Sequence, residues 1–389
     1  MNRKQLMTLS AAILTVGMCF AQSTPAVEDF KPASTNQSGK QYPQVNSEGR
    51  VRASISAPDA HKVLFDIGGV KYDLVKNEEG VWAGDSGPQD EGFHYYQLWI
   101  DGAAVPDPAS LYFYGASRWG SGIDIPAKDQ DFYAMKNVPH GQVREQIYFS
   151  KSNNTLRRCF IYTPPGYDQD LAKRYPVLYL QHGGGEDETG WAAQGHANLI
   201  MDNLIAEGKA EPFIIVMDNG NWTWPANVPR PKPGERPRGT WPPEGWADGF
   251  KTTLIEDIIP MIEANFRTVA DQQHRAMAGL SMGGMETRAI TLANTETFAY
   301  VGIFSGGSYS LEDVNNAPGF KENVKLVFVS YGSRELENAS RFGGDPKVNT
   351  DALKKIGMNT HYYISPLTAH EWQSWRRSLH EFAPLLFRK

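Results

Sequence analysis

The stretch Gly279-Leu280-Ser281-Met282-Gly283 constrains this 389-residue chain more than any other. The apolar run Ala276-Met277-Ala278 precedes it and reads as a strand, while Gly284-Met285-Glu286 can continue as a helix. A strand, a sharp turn with serine at its tip and a helix together form a nucleophile elbow. Such a turn exposes the hydroxyl and aims the next peptide N–H, here that of Met282, at the place where an oxyanion forms. The flanking glycines let the strand and helix backbones approach closely.

The surrounding pattern suits that element. From about Gly141 onward, apolar segments alternate with helical ones. The expected strands are Arg158–Thr163, Tyr175–Gln181, Phe213–Met217, Arg275–Ala278, Tyr300–Phe304, Lys325–Ser330 and His361–Ile364. The expected helices are Ala192–Glu207, Phe250–Phe266, Met285–Ala293, Asn349–Ile356 and Glu371–Phe387. Continuous apolar runs such as Val177-Leu178-Tyr179-Leu180 suit a parallel sheet covered on both faces, an α/β architecture. Residues 43–135 read differently, as short alternating strands and turns such as Val63, Phe65 and Ile67, which predicts a small all-β sandwich. On the strand His94–Ile100 the face bearing Tyr95, Gln97 and Trp99 suits either sugar stacking or packing against a neighbouring domain. Residues 22–42 are rich in Ser, Thr, Pro, Asn and Gln and are expected to be a flexible linker.

Arg3 and Lys4 followed by an apolar stretch from Leu6 to Phe20 read as a signal peptide over 1–21, which predicts a secreted or periplasmic protein. The stretch is short for a membrane span of about 20 residues, and a lipid on Cys19 is the alternative. Only two cysteines occur, so no disulfide framework is expected and Cys159 reads as a buried small hydrophobe. The net charge of −6 without a basic stripe argues against nucleic acid as a partner. No phosphate-binding loop or metal-ligand spacing is apparent, so neither cofactor nor metal is expected. Asp187, Glu188 and His196 suit either a cation site or helix-start charges.

An elbow serine needs a base, an acid that orients the base, and a second oxyanion donor. On this architecture the chain order is Ser, acid, His. His370, between the last strand and the last helix, fits as base. His182 and His274 precede the elbow, and His361 and His380 fall in a strand start and a helix. Glu335 is the first carboxylate after strand Lys325–Ser330 and is the expected acid, with Glu337 and Asp345 as other candidates. His182-Gly183-Gly184-Gly185 follows an early strand and offers backbone donors. Gly184 and Met282 are the expected oxyanion pair, with Gly185 the neighbouring option. The segment from Asn219 to Phe250 carries Trp222, Trp224, Trp241 and Trp246 among prolines and reads as a loop over the site. Trp191, Trp222 and Trp246 are the expected substrate contacts.

At these residues the chain resembles carbohydrate esterase family one, the feruloyl and acetylxylan esterases of the α/β-hydrolase superfamily. The matching pieces are Gln181-His182-Gly183-Gly184-Gly185-Glu186-Asp187-Glu188-Thr189-Gly190-Trp191, Ala197–Ile205, Ala278–Gly284 and Thr368-Ala369-His370-Glu371-Trp372. They cover the C-terminal two-thirds, and many relatives carry Asp where Glu335 stands. Gly92-Phe93-His94-Tyr95-Tyr96 and Asp101-Gly102-Ala103 resemble carbohydrate-binding module family forty-eight, an immunoglobulin-like sandwich. The resemblance implies an α/β-hydrolase domain over 141–389 that acts on feruloyl esters of plant cell-wall arabinoxylan. An acetylxylan esterase, a siderophore esterase and a non-catalytic carbohydrate-binding protein are the alternatives.

Overall fold

A computed structural model of the chain describes residues 27–221, 242–342 and 345–388. The expected signal segment 1–21 and Trp222, Trp224 and Trp241 lie outside the described residues.

Two antiparallel sheets form the N-terminal part. One runs, in spatial order, Lys31–Pro32, Gln44–Val45, Arg50–Ser56, Val81–Pro88 and Val75–Lys76. The other runs Tyr112–Gly115, Arg118–Ile125, Gly92–Ile100, Val63–Ile67 and Val70–Asp73, with Ala103–Val105 paired to Gly92–Ile100. Their facing sides bury Val51, Ala53, Val63, Phe65, Ile67, Tyr96, Leu98 and Ile123, the alternation that a half-buried strand demands. The flexible linker expected up to residue 42 is corrected here, because from Lys31 onward it is part of the sandwich. Ala33 and Thr35 are buried, the Leu111 N–H donates to the Thr35 carbonyl at 2.8 Å, and the Gln37 N–H donates to that of Ala109 at 2.8 Å. Backbone pairing of this kind leaves no trace in side-chain periodicity.

The remainder builds on an eight-stranded sheet. Its order is Gln142–Ser150, Thr155–Thr163, Ile214–Asp218, Val177–Gln181, Arg275–Leu280, Tyr300–Phe304, Leu326–Gly332 and Thr360–Ser365. The first three strands pair antiparallel and the last six, from Ile214–Asp218 onward, pair parallel. Strand Val177–Gln181 is wholly buried because both faces are covered. Leu178 and Leu180 face the helices Ala197–Ala206 and Trp372–Phe382, and Val177 and Tyr179 face the opposite layer with Leu254, Ile258 and Ile290.

Strand Gln142–Ser150 had no sequence signal. It is an edge strand whose burial alternates. Val143, Ile147 and Phe149 lie on the exposed face while Arg144, Gln146 and Ser150 lie on the covered one, so the apolar pattern does not mark the buried side. The helix expected over Ala192–Glu207 is broken into Gly190–Ala193 and Ala197–Ala206, with His196 in the left-handed region at φ 51° between them.

The two parts share one core. Phe93 and Phe113 from the sandwich, with Tyr133 from the following turn, join the buried cluster that contains Trp191, Trp372, Trp375 and Leu379. The fully buried Arg376 guanidinium bonds the Asp124 carboxylate through two nitrogens at 2.7 and 3.2 Å, and also the Gln194 carbonyl. Although burial pushes the Asp124 carboxyl up, Arg376 holds it below its ordinary range. Among the described residues no helix is long and apolar enough to cross a membrane.

Candidate active site

Strand Arg275–Leu280 ends at Ser281, and helix Met282–Ala293 begins directly after it. Ser281 is held at φ 51° and ψ −115°, a conformation that costs a non-glycine residue roughly 1–3 kcal/mol. Its N–H donates to the Phe304 carbonyl at 2.7 Å, and its own carbonyl accepts from the Met285 N–H at 3.0 Å. Both flanking glycines are required sterically. A Cβ on Gly279 would lie 2.4 Å from the Gly283 carbonyl, and one on Gly283 would lie 2.5 Å from the His182 oxygen.

The three residues expected for acyl chemistry meet in one line. Ser281 Oγ lies 2.8 Å from His370 Nε2, and His370 Nδ1 lies 2.7 Å from Glu335 Oε1. With a carboxylate at Nδ1, that nitrogen carries the hydrogen and Nε2 is free to accept from the serine hydroxyl. Glu335 is buried, whereas His370 is half exposed. The second Glu335 oxygen accepts from the Ser305 hydroxyl and the Gly332 N–H, each at 2.7 Å. The Trp375 indole N–H reaches Ser305 Oγ at 3.1 Å, and its ring meets the His370 imidazole edge-to-face at 5.1 Å.

The acid and base loops are also fastened together. The Arg334 N–H donates to the Thr368 carbonyl at 3.0 Å, and the Leu367 N–H donates to Ser333 Oγ at 2.9 Å. Ser305, Gly332 and Trp375 were not foreseen. Ser305 directly follows the strand next to the elbow strand, which is the positional signal that could have found it.

On the other side of Ser281 lies the glycine turn. A Cβ on Gly184 would touch Met282 Cβ and Sδ at 4.0 Å, so the two expected donor segments are adjacent. Met282 is the first residue of its helix, and its N–H is one of the four that have no intrahelical acceptor. His182 beneath the turn is buried, which lowers its basicity. Its Nδ1–H donates to the Gly183 carbonyl at 2.8 Å, and its Nε2 accepts from the Gly220 N–H at 3.1 Å.

Trp191 is corrected as a substrate contact. It is 1% exposed, packs edge-to-face on Trp372 and Phe304, and donates its indole N–H to the Gln181 carbonyl, so it supports the turn from behind. Trp246 is partly buried in the turn 243–248, before the helix Asp248–Thr252. The Glu188 carboxylate pairs with Arg158, and Asp187 accepts from the Thr189 N–H and hydroxyl, so these acids serve local structure. Among the described residues no group of three or more His, Cys, Asp or Glu is placed to hold a metal ion. Burial holds the Cys159 thiol well above its ordinary range.

Glu286, one turn into the elbow helix, is fully buried. Neither of its carboxylate oxygens meets a partner among the described residues, and the same holds for both ends of the Gln181 amide. A Cβ on Gly220 would approach Glu286 Oε2 to 2.7 Å and Gln181 Oε1 to 3.0 Å, so the two side chains share one polar space. Burial pushes the Glu286 carboxyl well above the usual range, because no donor among the described residues replaces the lost hydration of its charged form.

Residues 150–386 match the esterase family described as "Putative esterase". The chain is 44% identical over 369 residues to an endo-1,4-beta-xylanase/feruloyl esterase of Xylanibacter ruminicola, a match that covers 93% of this chain and 48% of that relative. It thus spans about half the length of that curated relative. The fold is similar to the ferulic acid esterase of Anaeromyces mucronatus, with a TM-score of 0.54 at 23% identity, covering 67% of this chain and 96% of that one. It is also similar to the enterobactin esterase of Shigella flexneri, with a TM-score of 0.61 at 15% identity, covering 87% and 92%. The chain belongs to the esterase family, carboxylic ester hydrolases on the α/β-hydrolase fold.

Proposed function

We propose that this protein is an exported serine esterase that hydrolyses feruloyl esters on plant cell-wall arabinoxylan through an acyl-enzyme. The observation that carries the reaction type is the aligned Ser281–His370–Glu335 relay, at 2.8 and 2.7 Å, on a strained elbow. Ser281 Oγ attacks the ester carbonyl while His370 Nε2 takes the hydroxyl proton. Glu335 keeps the imidazole in the required tautomer and stabilises the imidazolium. The N–H groups of Met282 and Gly184 receive the negative charge on the tetrahedral oxygen. His370 then returns the proton to the departing sugar alkoxide. Water, activated by the same imidazole, cleaves the acyl-serine bond and releases ferulate and free Ser281.

The 44% identity to a relative named as a xylanase/feruloyl esterase supports the acyl group and the polysaccharide substrate. Trp246, with Trp222 from the segment outside the described residues, is proposed to bind the aromatic acyl group. A substrate panel of methyl ferulate, acetylated xylan and a catecholate trilactone tests this reading. It predicts kcat/KM highest on methyl ferulate. A preference for acetylated xylan would make the protein an acetylxylan esterase, and a preference for the trilactone a siderophore esterase. The last alternative draws on a fold likeness that extends over both parts of the chain.

A further inference from the structure

Gly184 sits between two peptide groups that are both tied to the N-terminal sandwich. On one side, the Gly183 N–H donates to Glu186 Oε2 at 3.3 Å, and Glu186 Oε1 lies 3.2 Å from the hydroxyl of Tyr95 on strand Gly92–Ile100. The direction of that second bond follows from counting. The Tyr95 oxygen already accepts from the Gln194 amide at 2.8 Å and from the Trp372 indole at 3.3 Å, so its single hydrogen points to Glu186. On the other side, the Ser117 N–H, at the tip of the hairpin Tyr112–Ile125, donates to the Gly185 carbonyl at 2.7 Å. Ala116 and Ser117 both adopt positive φ to form that tip, at 50° and 62°. The absence of a side chain at Gly115 leaves room for the Tyr95 ring, since a Cβ there would lie 2.1 Å from it. The Glu186 carboxyl is buried and accepts from both sides.

We infer that the sandwich is a working part of the active site, with Tyr95, Glu186 and the Ser117 peptide positioning the glycine turn for oxyanion stabilisation. The inference rests on the serine-esterase reading above. A glycine turn is intrinsically permissive, and a misplacement of about 1 Å in an oxyanion donor costs up to about 100-fold in rate.

The test compares wild type, Tyr95→Phe and Glu186→Gln on methyl ferulate. A second readout is the affinity of an arylboronic acid, which adds to a serine to give a tetrahedral anion, against that of free ferulate. The expected result for Tyr95→Phe is a kcat lower by about 10- to 100-fold, with KM within about threefold. Boronate affinity should fall in parallel, and ferulate affinity should be unchanged. Glu186→Gln, whose amide can accept from Gly183 or from Tyr95 but not from both, should move the same way by a smaller factor. Wild-type kcat and boronate affinity in Glu186→Gln would overturn the inference even if Tyr95→Phe does not fold. Loss of kcat without loss of boronate affinity would also overturn it, because it would mark a merely structural role. Ser281→Ala separates the two levels: full activity there would sink the serine mechanism itself, whereas an inactive Ser281→Ala beside a wild-type-like Glu186→Gln would sink only the positioning role.

Discussion

Glu335 and Glu286 are both buried glutamates on elements that leave the C-terminal edge of the parallel sheet, yet they are built in opposite ways. Three donors converge on the Glu335 carboxylate: the His370 imidazole, the Ser305 hydroxyl and the Gly332 N–H. No partner among the described residues meets either oxygen of Glu286. Burial alone therefore does not define the role of a carboxyl, and the donors aimed at it do. The first acid can hold charge and orient an imidazole. The second lies behind the elbow with the unpartnered Gln181 amide beside it, where burial disfavours its charged form.

The comparison breaks most visibly at Glu335. Glu335→Gln presents an amide N–H to His370 Nδ1 and favours the wrong tautomer, so kcat on methyl ferulate should fall by about 10³- to 10⁴-fold with little change in KM. Glu337→Gln and Asp345→Asn should stay within about twofold. Asp345 caps the helix Pro346–Lys355 through the Lys347 N–H, a local duty. A large loss in either of these, with Glu335→Gln active, would move the acid elsewhere.

A smaller effect is expected at Trp375. Trp375→Phe keeps the edge contact with His370 but removes the N–H that steadies Ser305, and kcat should drop by about threefold to tenfold. An unchanged rate would show that Ser305 needs no such support.

The effect at Glu286 is on stability and not on turnover. Burial raises its folded-state pKa well above the unfolded value of about 4.3, so stability is highest below that value and falls as pH rises toward the folded one. The slope approaches about 1.4 kcal/mol per pH unit for one proton. Glu286→Gln does not titrate, so its melting temperature relative to wild type should climb as pH rises above the unfolded value. A difference independent of pH would contradict the raised folded-state pKa.

Most of the relay was legible in the sequence because each of its parts is local. The elbow is a contiguous strand–turn–helix, and Glu335 and His370 follow successive strands, the first of them, Leu326–Gly332, wholly buried. The contacts among the supports were not legible, although Ser305 has a positional signal. Ser305 and Trp375 are 70 residues apart, and Tyr95 and Glu186 are 91 apart, so only the folded sheet brings them together. Trp191 was misread for a related reason. A tryptophan beside a glycine turn has the same sequence signature whether it faces a ligand or fills the core, and the packing of Trp372 and Phe304 decided for the core. The start of the sandwich was missed because two-residue strands carry no periodicity.

The claim that Ser281 is the acyl-transfer nucleophile is tested most directly by intact-mass measurement after exposure to a serine-directed phosphonate, on wild type and on Ser281→Ala, alongside turnover of methyl ferulate. The account predicts a single adduct on wild type that maps to Ser281, no adduct on Ser281→Ala, and a kcat reduced by about 10⁴-fold or more in that variant. An unlabelled wild-type protein that still hydrolyses the ester, or a fully active Ser281→Ala, would contradict it.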